Sequence, residues 1–146
     1  MSPQPKDDNQ PPQLTCEDLL YRPLIDESWI NKKTLEVKPQ AFRRRKADKA
    51  GLSVNVVSCY SVHQCVESQD YHECFAVGTL HTGHVIGIAP DRLSLERDSF
   101  EHANIKGLPA KDETGPPHDA LREFLANELV KQWRAVWYAL SIRSKK

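Results

Sequence analysis

Cys59, His63, Cys65, His72 and Cys74 place five metal-competent side chains within 16 residues of a 146-residue chain. Zinc takes thiolate and imidazole donors in tetrahedral sets, so this window is the first place to look for a metal. The spacing Cys-x3-His-x-Cys-x6-His-x-Cys matches no paired-knuckle pattern. Buried cysteines also serve as small apolar side chains, and the expected outcome is free thiols, mostly buried, with no resident zinc. His81-x-x-His84 adds two imidazoles around a Thr82-Gly83 turn. Such a pair can bind metal or relay protons, yet solvated turn-flanking histidines need do neither.

A second cluster is electrostatic. Residues 32–49 hold Lys32, Lys33, Lys38, Arg43, Arg44, Arg45, Lys46 and Lys49 against Glu36 and Asp48, a local excess of +6. Left unpaired, that surface would hold phosphates, so nucleic acid is a conceivable partner with salt-sensitive affinity. Only Phe42 interleaves with the cations, whereas single-strand binders stack bases on aromatic rings. The whole chain carries 20 basic and 20 acidic residues, so pairing with carboxylates elsewhere is the competing expectation.

Arg22, Ser53 and Glu101 offer an enzymatic reading. An Arg ending one strand, a Ser starting another and a late Glu resemble the order found in ADP-ribosyltransferases. That resemblance implies NAD as substrate, with Arg22 on its phosphates, Ser53 supporting the site and Glu101 steadying the developing ribosyl cation. Ser53 lacks the Ser-Thr-Ser context, and Ser99 stands where a second acid would be. Hydrolase signatures are missing: there is no Gly-x-Ser-x-Gly, and no phosphate-cradling glycine loop.

These side chains need a scaffold. Residues 1–13 contain four prolines and no apolar residue after Met1, the composition of a disordered leader. Residues 14–146 then form one domain. Thr15 and Asp18 suggest a capped start, and Leu19-Leu20-Tyr21 an apolar segment stopped by Pro23. Leu35-Glu36-Val37, Leu52 to Val57, Phe75 to Leu80, His84 to Ile88 and His102 to Ile105 read as strands, and residues 90–98 as a polar connection. Ser61 is placed to cap a short helix bearing Val62, Cys65 and Val66 on one face. From Pro117, Leu121, Leu125, Leu129, Trp133, Trp137 and Leu140 recur at three- and four-residue steps, a helix of roughly six turns. Trp133 and Trp137 then share one helix face. The expected fold is α+β, a mainly antiparallel sheet of short strands covered by a long C-terminal helix.

Leu20-Tyr21-Arg22-Pro23, Ala41-Phe42-Arg43, Leu52-Ser53-Val54 and His102 to Gly107 followed by Pro109 together resemble a family of small uncharacterised bacterial proteins. That resemblance implies a single domain and no particular activity. With no apolar run long enough to span a bilayer and no secretory core near Met1, a cytoplasmic setting without membrane contact is expected. The functional expectation is a non-enzymatic accessory or adaptor subunit of a bacterial multi-component system. Arg43, Arg44, Arg45, Lys46, Trp133 and Trp137 are its contact candidates for a protein partner, with nucleic acid a further one through residues 32–49. The ADP-ribosyltransferase is the alternative.

Overall fold

Alternation divides the central strands between two faces. In the computed structural model, which describes residues 12–45, 51–67 and 73–143, β2 (Leu52–Val56) buries Leu52, Val54 and Val56 completely. Successive strand residues point to opposite sides, so Ser53 and Asn55 face the other way. β1 (Leu19–Leu24) lies beside it with Leu20 against Val56, and β5 (His102–Lys106) flanks it with Ile105 against Leu52. Leu20, Arg22 and Leu24 therefore share a face with the β2 aliphatics, while Tyr21 goes with Ser53 and Asn55.

The sheet has six strands in the order β4-β5-β2-β1-β3-β6, every described pairing antiparallel. β3 is Ala76–His81, β4 is Ser94–Arg97 and β6 is Arg134–Tyr138. The 17-residue helix α3 (Pro116–Gln132) covers one face with Leu125, Ala126 and Leu129. It joins a core that includes Trp29, Phe42, Leu52, Leu80 and Ile105. Pro at its first positions and Lys131 in its last turn fit the helix ends. On the opposite face, α1 (Val62–Glu67) sets Cys65 into a smaller cluster with Tyr21, Cys74 and Val77. The expected α+β architecture is the observed one. Among the described residues no helix is long and apolar enough to cross a membrane.

Several local expectations are corrected. The terminal helix stops at Gln132, Trp133 turns extended, and the next five residues form an edge strand before the short α4 (Leu140–Arg143). Val-Trp-Tyr favours a half-buried strand, and its spacing coincides with helical steps only by accident. His84 to Ile88 is helical, within α2 (Thr82–Ile88), because a short apolar run has no decisive period. The Thr15–Asp18 segment is a turn, closed by the Asp18 side chain, whose Cys16 and Asp18 carbonyls accept the Gly83 and Thr82 amides that open α2. Pro23 does not stop its segment, since β1 runs on to Leu24. Ser94–Arg97 pairs with β5 where a connection was expected. Of Leu35-Glu36-Val37 only Val37 forms a bridge, to Ile30. Residues 1–11 of the leader lie outside the described residues.

Gly78 explains how the chain enters β6. A Cβ there would sit 2.0 Å from the Trp133 ring, so only glycine lets the indole lie on β3. The ring nitrogen then donates to the Arg22 carbonyl at 3.2 Å. Beyond this point the register of β3 and β6 shifts: Gly78 pairs with Ala135 and Val77 with Trp137. Val136 is the extra residue of a bulge. Gly78→Ala should destabilise the protein by about 3 kcal/mol or more, since a packed ring or a strand must move. Gly87→Ala should stabilise it by about 0.5–1 kcal/mol, because a Cβ on that helical residue meets nothing within 4 Å. Urea denaturation of the two variants measures both, and equal midpoints would remove this account of Trp133.

Candidate interaction site

The proposed transferase residues do not converge. Arg22 is 4% exposed and its side chain extends on the α3 face. Its Nε and Nη2 donate to the Ala41 carbonyl at 3.2 and 2.7 Å, and its Nη1 to the Ser53 carbonyl at 2.9 Å. The guanidinium carbon lies 5.7 and 6.0 Å from the Trp29 and Phe42 ring centroids. Arg22 is thus a buried cross-link between β1, β2 and the 3-10 turn Pro39–Phe42. The Ser53 hydroxyl belongs to the other face by strand parity. Glu101 immediately precedes β5, exposed, and its carbonyl accepts from the Val56 amide and from the Asn55 side chain.

The cysteine and histidine window is likewise dispersed. Cys65 and Cys74 are buried, and Cys65 donates to Asn55 Oδ1 at 3.3 Å. Burial pushes the Cys65 thiol up to about 12, helped by nearby Cys74, and the Cys74 thiol up to about 11. Cys59 is exposed, 3.2 Å from Arg97 Nη2, and His63 is exposed on α1. His72 lies outside the described residues, among which no group of three or more His, Cys, Asp or Glu is arranged to hold a metal. His81 and His84 stack with ring centroids 4.2 Å apart and planes 28° from parallel. Lone pairs in near-parallel planes do not converge on one ion.

The basic run is drawn into the fold. Arg43 pairs with Glu123 on α3, Arg44 Nη1 donates to the Leu108 carbonyl, and the Arg45 guanidinium lies 5.9 Å from the Trp29 centroid. Lys46 is outside the described residues. The two tryptophans also separate: Trp133 is 7% exposed against β3 on the α3 side, whereas Trp137 packs with Val77 on the α1 side. They share no face, which corrects the helical expectation for this pair.

What the structure assembles instead lies around Trp133. A groove of about 290 Å3 opens between α3, β6 and the segment 35–37, lined by Leu35, Val37, Val130, Trp133, Ala135 and Tyr138, with Glu36 and Arg134 at its sides. Asn31 and Glu36 close a hairpin whose Val37 bridges Ile30, and the Tyr138 hydroxyl donates to the Leu35 carbonyl at 3.2 Å. Leu35 holds φ at +64°, a left-handed conformation that costs a non-glycine residue about 1–2 kcal/mol. Outside the groove, Val136 is 48% and Leu140 72% exposed. Among the described residues no strand pairs with the outer side of β6. Sequence reading pointed to this region through Trp133 and Trp137 but missed the groove and the strand edge, because the 135–140 segment was absorbed into a helix. The available signal was its unbroken apolar run, Ala-Val-Trp-Tyr-Ala-Leu, which leaves no polar face for an amphipathic helix.

Comparison with protein-family models, curated proteins and solved structures finds no match.

The thiols give a direct check on this geometry. In the folded protein a thiol reagent at mildly alkaline pH should modify Cys16 and Cys59 quickly and leave Cys65 and Cys74 protected until unfolding. Raised thiol pKa values favour the neutral form in the native state. Their contribution is therefore complete below the unfolded pKa near 9 and is lost as pH rises toward 11 and 12. Chemical denaturation should show stability falling above about pH 9, with a shallower fall in Cys65→Ala. Rapid native labelling of all the cysteines would contradict the burial described.

Proposed function

We propose that this protein is a non-enzymatic binding module, a small accessory subunit that docks a protein partner on the β6 edge and the groove beside it. The observation that carries this reading is the groove lined by Leu35, Val37, Ala135 and Tyr138, together with the exposed apolar residues Val136 and Leu140 of the same 134–140 stretch. Large apolar side chains left in water and concave, aromatic-lined grooves are both features of interaction surfaces. A free strand edge supplies backbone donors and acceptors that an incoming chain can use. The groove is at the small end of ligand pockets, which run to roughly 300–1,000 Å3, a size suited to one bulky side chain of a partner. Arg22, the residue on which NAD chemistry would depend, is spent on backbone carbonyls, so the binding reading is preferred to ADP-ribosyl transfer.

The double variant Val136→Asp/Leu140→Asp tests it. Both positions are exposed, so the melting temperature should move by no more than about 4 °C, the shift of a 1 kcal/mol change. Affinity capture from native cells, read by mass spectrometry, should lose the wild-type protein's specific partner. Recovery of the same partner set by wild type and variant would overturn the proposal.

A further inference from the structure

The groove beside β6 combines an apolar lining with one charge of each sign. Leu35, Val37, Val130 and Tyr138 contribute apolar surface, whereas Glu36 brings a carboxylate from the 35–37 segment and Arg134 a guanidinium from β6. Both charged residues are exposed. Arg134 gives its Nη1 to the Lys131 and Trp133 carbonyls at 2.6 and 3.1 Å, so the end of α3 fixes where the guanidinium sits. It meets no described carboxylate, and its Nε and Nη2 donate to no described acceptor. Glu36 is fixed through its main chain. Its amide donates to Thr34 Oγ1 at 3.2 Å, and its carbonyl accepts the Asn31 amide at 2.8 Å. The Glu36 carboxylate itself pairs with no described residue, Arg134 included, although the two line the same groove.

We infer that the partner segment docked here carries one bulky apolar side chain in the groove, flanked by a basic residue that meets Glu36 and by an acidic residue that meets Arg134. This rests on the binding reading above and adds the chemistry of the ligand. An occupant that covers the groove takes water from both charges, and a charge desolvated without a partner is costly. A neutral apolar segment leaves both of them unmet. A polyanion brings like charge to Glu36, and a polycation brings it to Arg134. A segment of mixed charge satisfies both. Because Glu36 and Arg134 line a single groove of about 290 Å3, the residues next to the anchored side chain are the ones that reach them.

The test uses the full chain and three end-capped probe peptides: Lys-Lys-Trp-Glu-Glu, its reverse Glu-Glu-Trp-Lys-Lys, and the neutral Gln-Gln-Trp-Gln-Gln. Two charged residues stand on each side of the anchor because alternate side chains of an extended segment face the same way. By calorimetric titration at low salt one charged order should bind at least about tenfold more tightly than the other, and added salt should narrow the gap. The exchange Glu36→Arg/Arg134→Glu should invert the order preferred. Glu36→Arg alone, which removes no described side-chain contact, should erase the preference. Equal binding of the three peptides by the wild type overturns the mixed-charge ligand and leaves the docking surface standing. Binding of none, while Val136→Asp/Leu140→Asp still loses its captured partner, overturns this inference alone; if the capture is also unchanged, both proposals fall. Sedimentation showing a dimer of the free chain that Ala135→Trp dissociates assigns the groove to a second copy and overturns the inference.

Discussion

Arg22 is the constraint on which the rest of this molecule depends. A guanidinium removed from water is tolerated only when its donors are met, and here the Ala41 and Ser53 carbonyls meet them from two directions. The contact fixes the Pro39–Phe42 turn over the sheet, which in turn lays Phe42 into the core beneath α3. The same residue acts through its main chain, because its carbonyl receives the Trp133 indole. One position thereby ties a central strand to the turn before β2 and to the end of the longest helix. An arginine is suited to this task where a lysine is not: its planar fork reaches two carbonyls while its faces lie against Trp29 and Phe42.

From that anchor the geometry of the β6 edge and its groove follows in order. Gly78 has no Cβ, so the Trp133 ring settles on β3 and reaches the Arg22 carbonyl. With its ring held there, Trp133 leaves the helix, its amide still bonded to the Leu129 carbonyl and its own backbone extended. The residues behind it are delivered to the open side of β3. The bulge at Val136 then turns one apolar side chain out of the ladder and re-aims those after it. Tyr138 returns to the α3 side, where its hydroxyl meets Leu35, and Trp137 goes to the other. Bulges commonly protect edge strands from indiscriminate pairing.

How much of this was legible in the sequence depends on whether the signal was local. The β-branched alternation of Leu52 to Val56 and the apolar stripe from Leu121 to Leu129 each report a single element, and both were readable. The end of the helix was not, because it is decided by a contact between residues 22 and 133, 111 positions apart in sequence. Periodicity continued through Trp133 and Trp137 and offered no stop. The short elements failed for a related reason: α2 has one strongly buried apolar residue, Val85, and its amides are satisfied by carbonyls from the 16–18 turn. The candidate chemistry depends on distant contacts in the same manner. Arg22, Ser53 and Glu101 have suggestive types, but strand parity sends two of the side chains to opposite faces, and parity is fixed only once the register is known.

The distribution of charge decides which of the remaining surfaces is available for binding. A run of cations such as Arg43-Arg44-Arg45 reads in isolation as an anion site. In the folded chain each is engaged by another element: Glu123 for Arg43, the Leu108 carbonyl for Arg44, the Trp29 ring for Arg45. Equal numbers of acids and bases across the sequence permit that internal accounting, and its result is a basic segment held to α3, to the loop after β5 and to the Glu27–Trp29 turn. Exposed pairs of this kind contribute only about 0–1 kcal/mol each. Their larger effect is to hold the segment after the Pro39–Phe42 turn against its neighbours, so that a run which would attract anions in an extended chain is engaged within the fold.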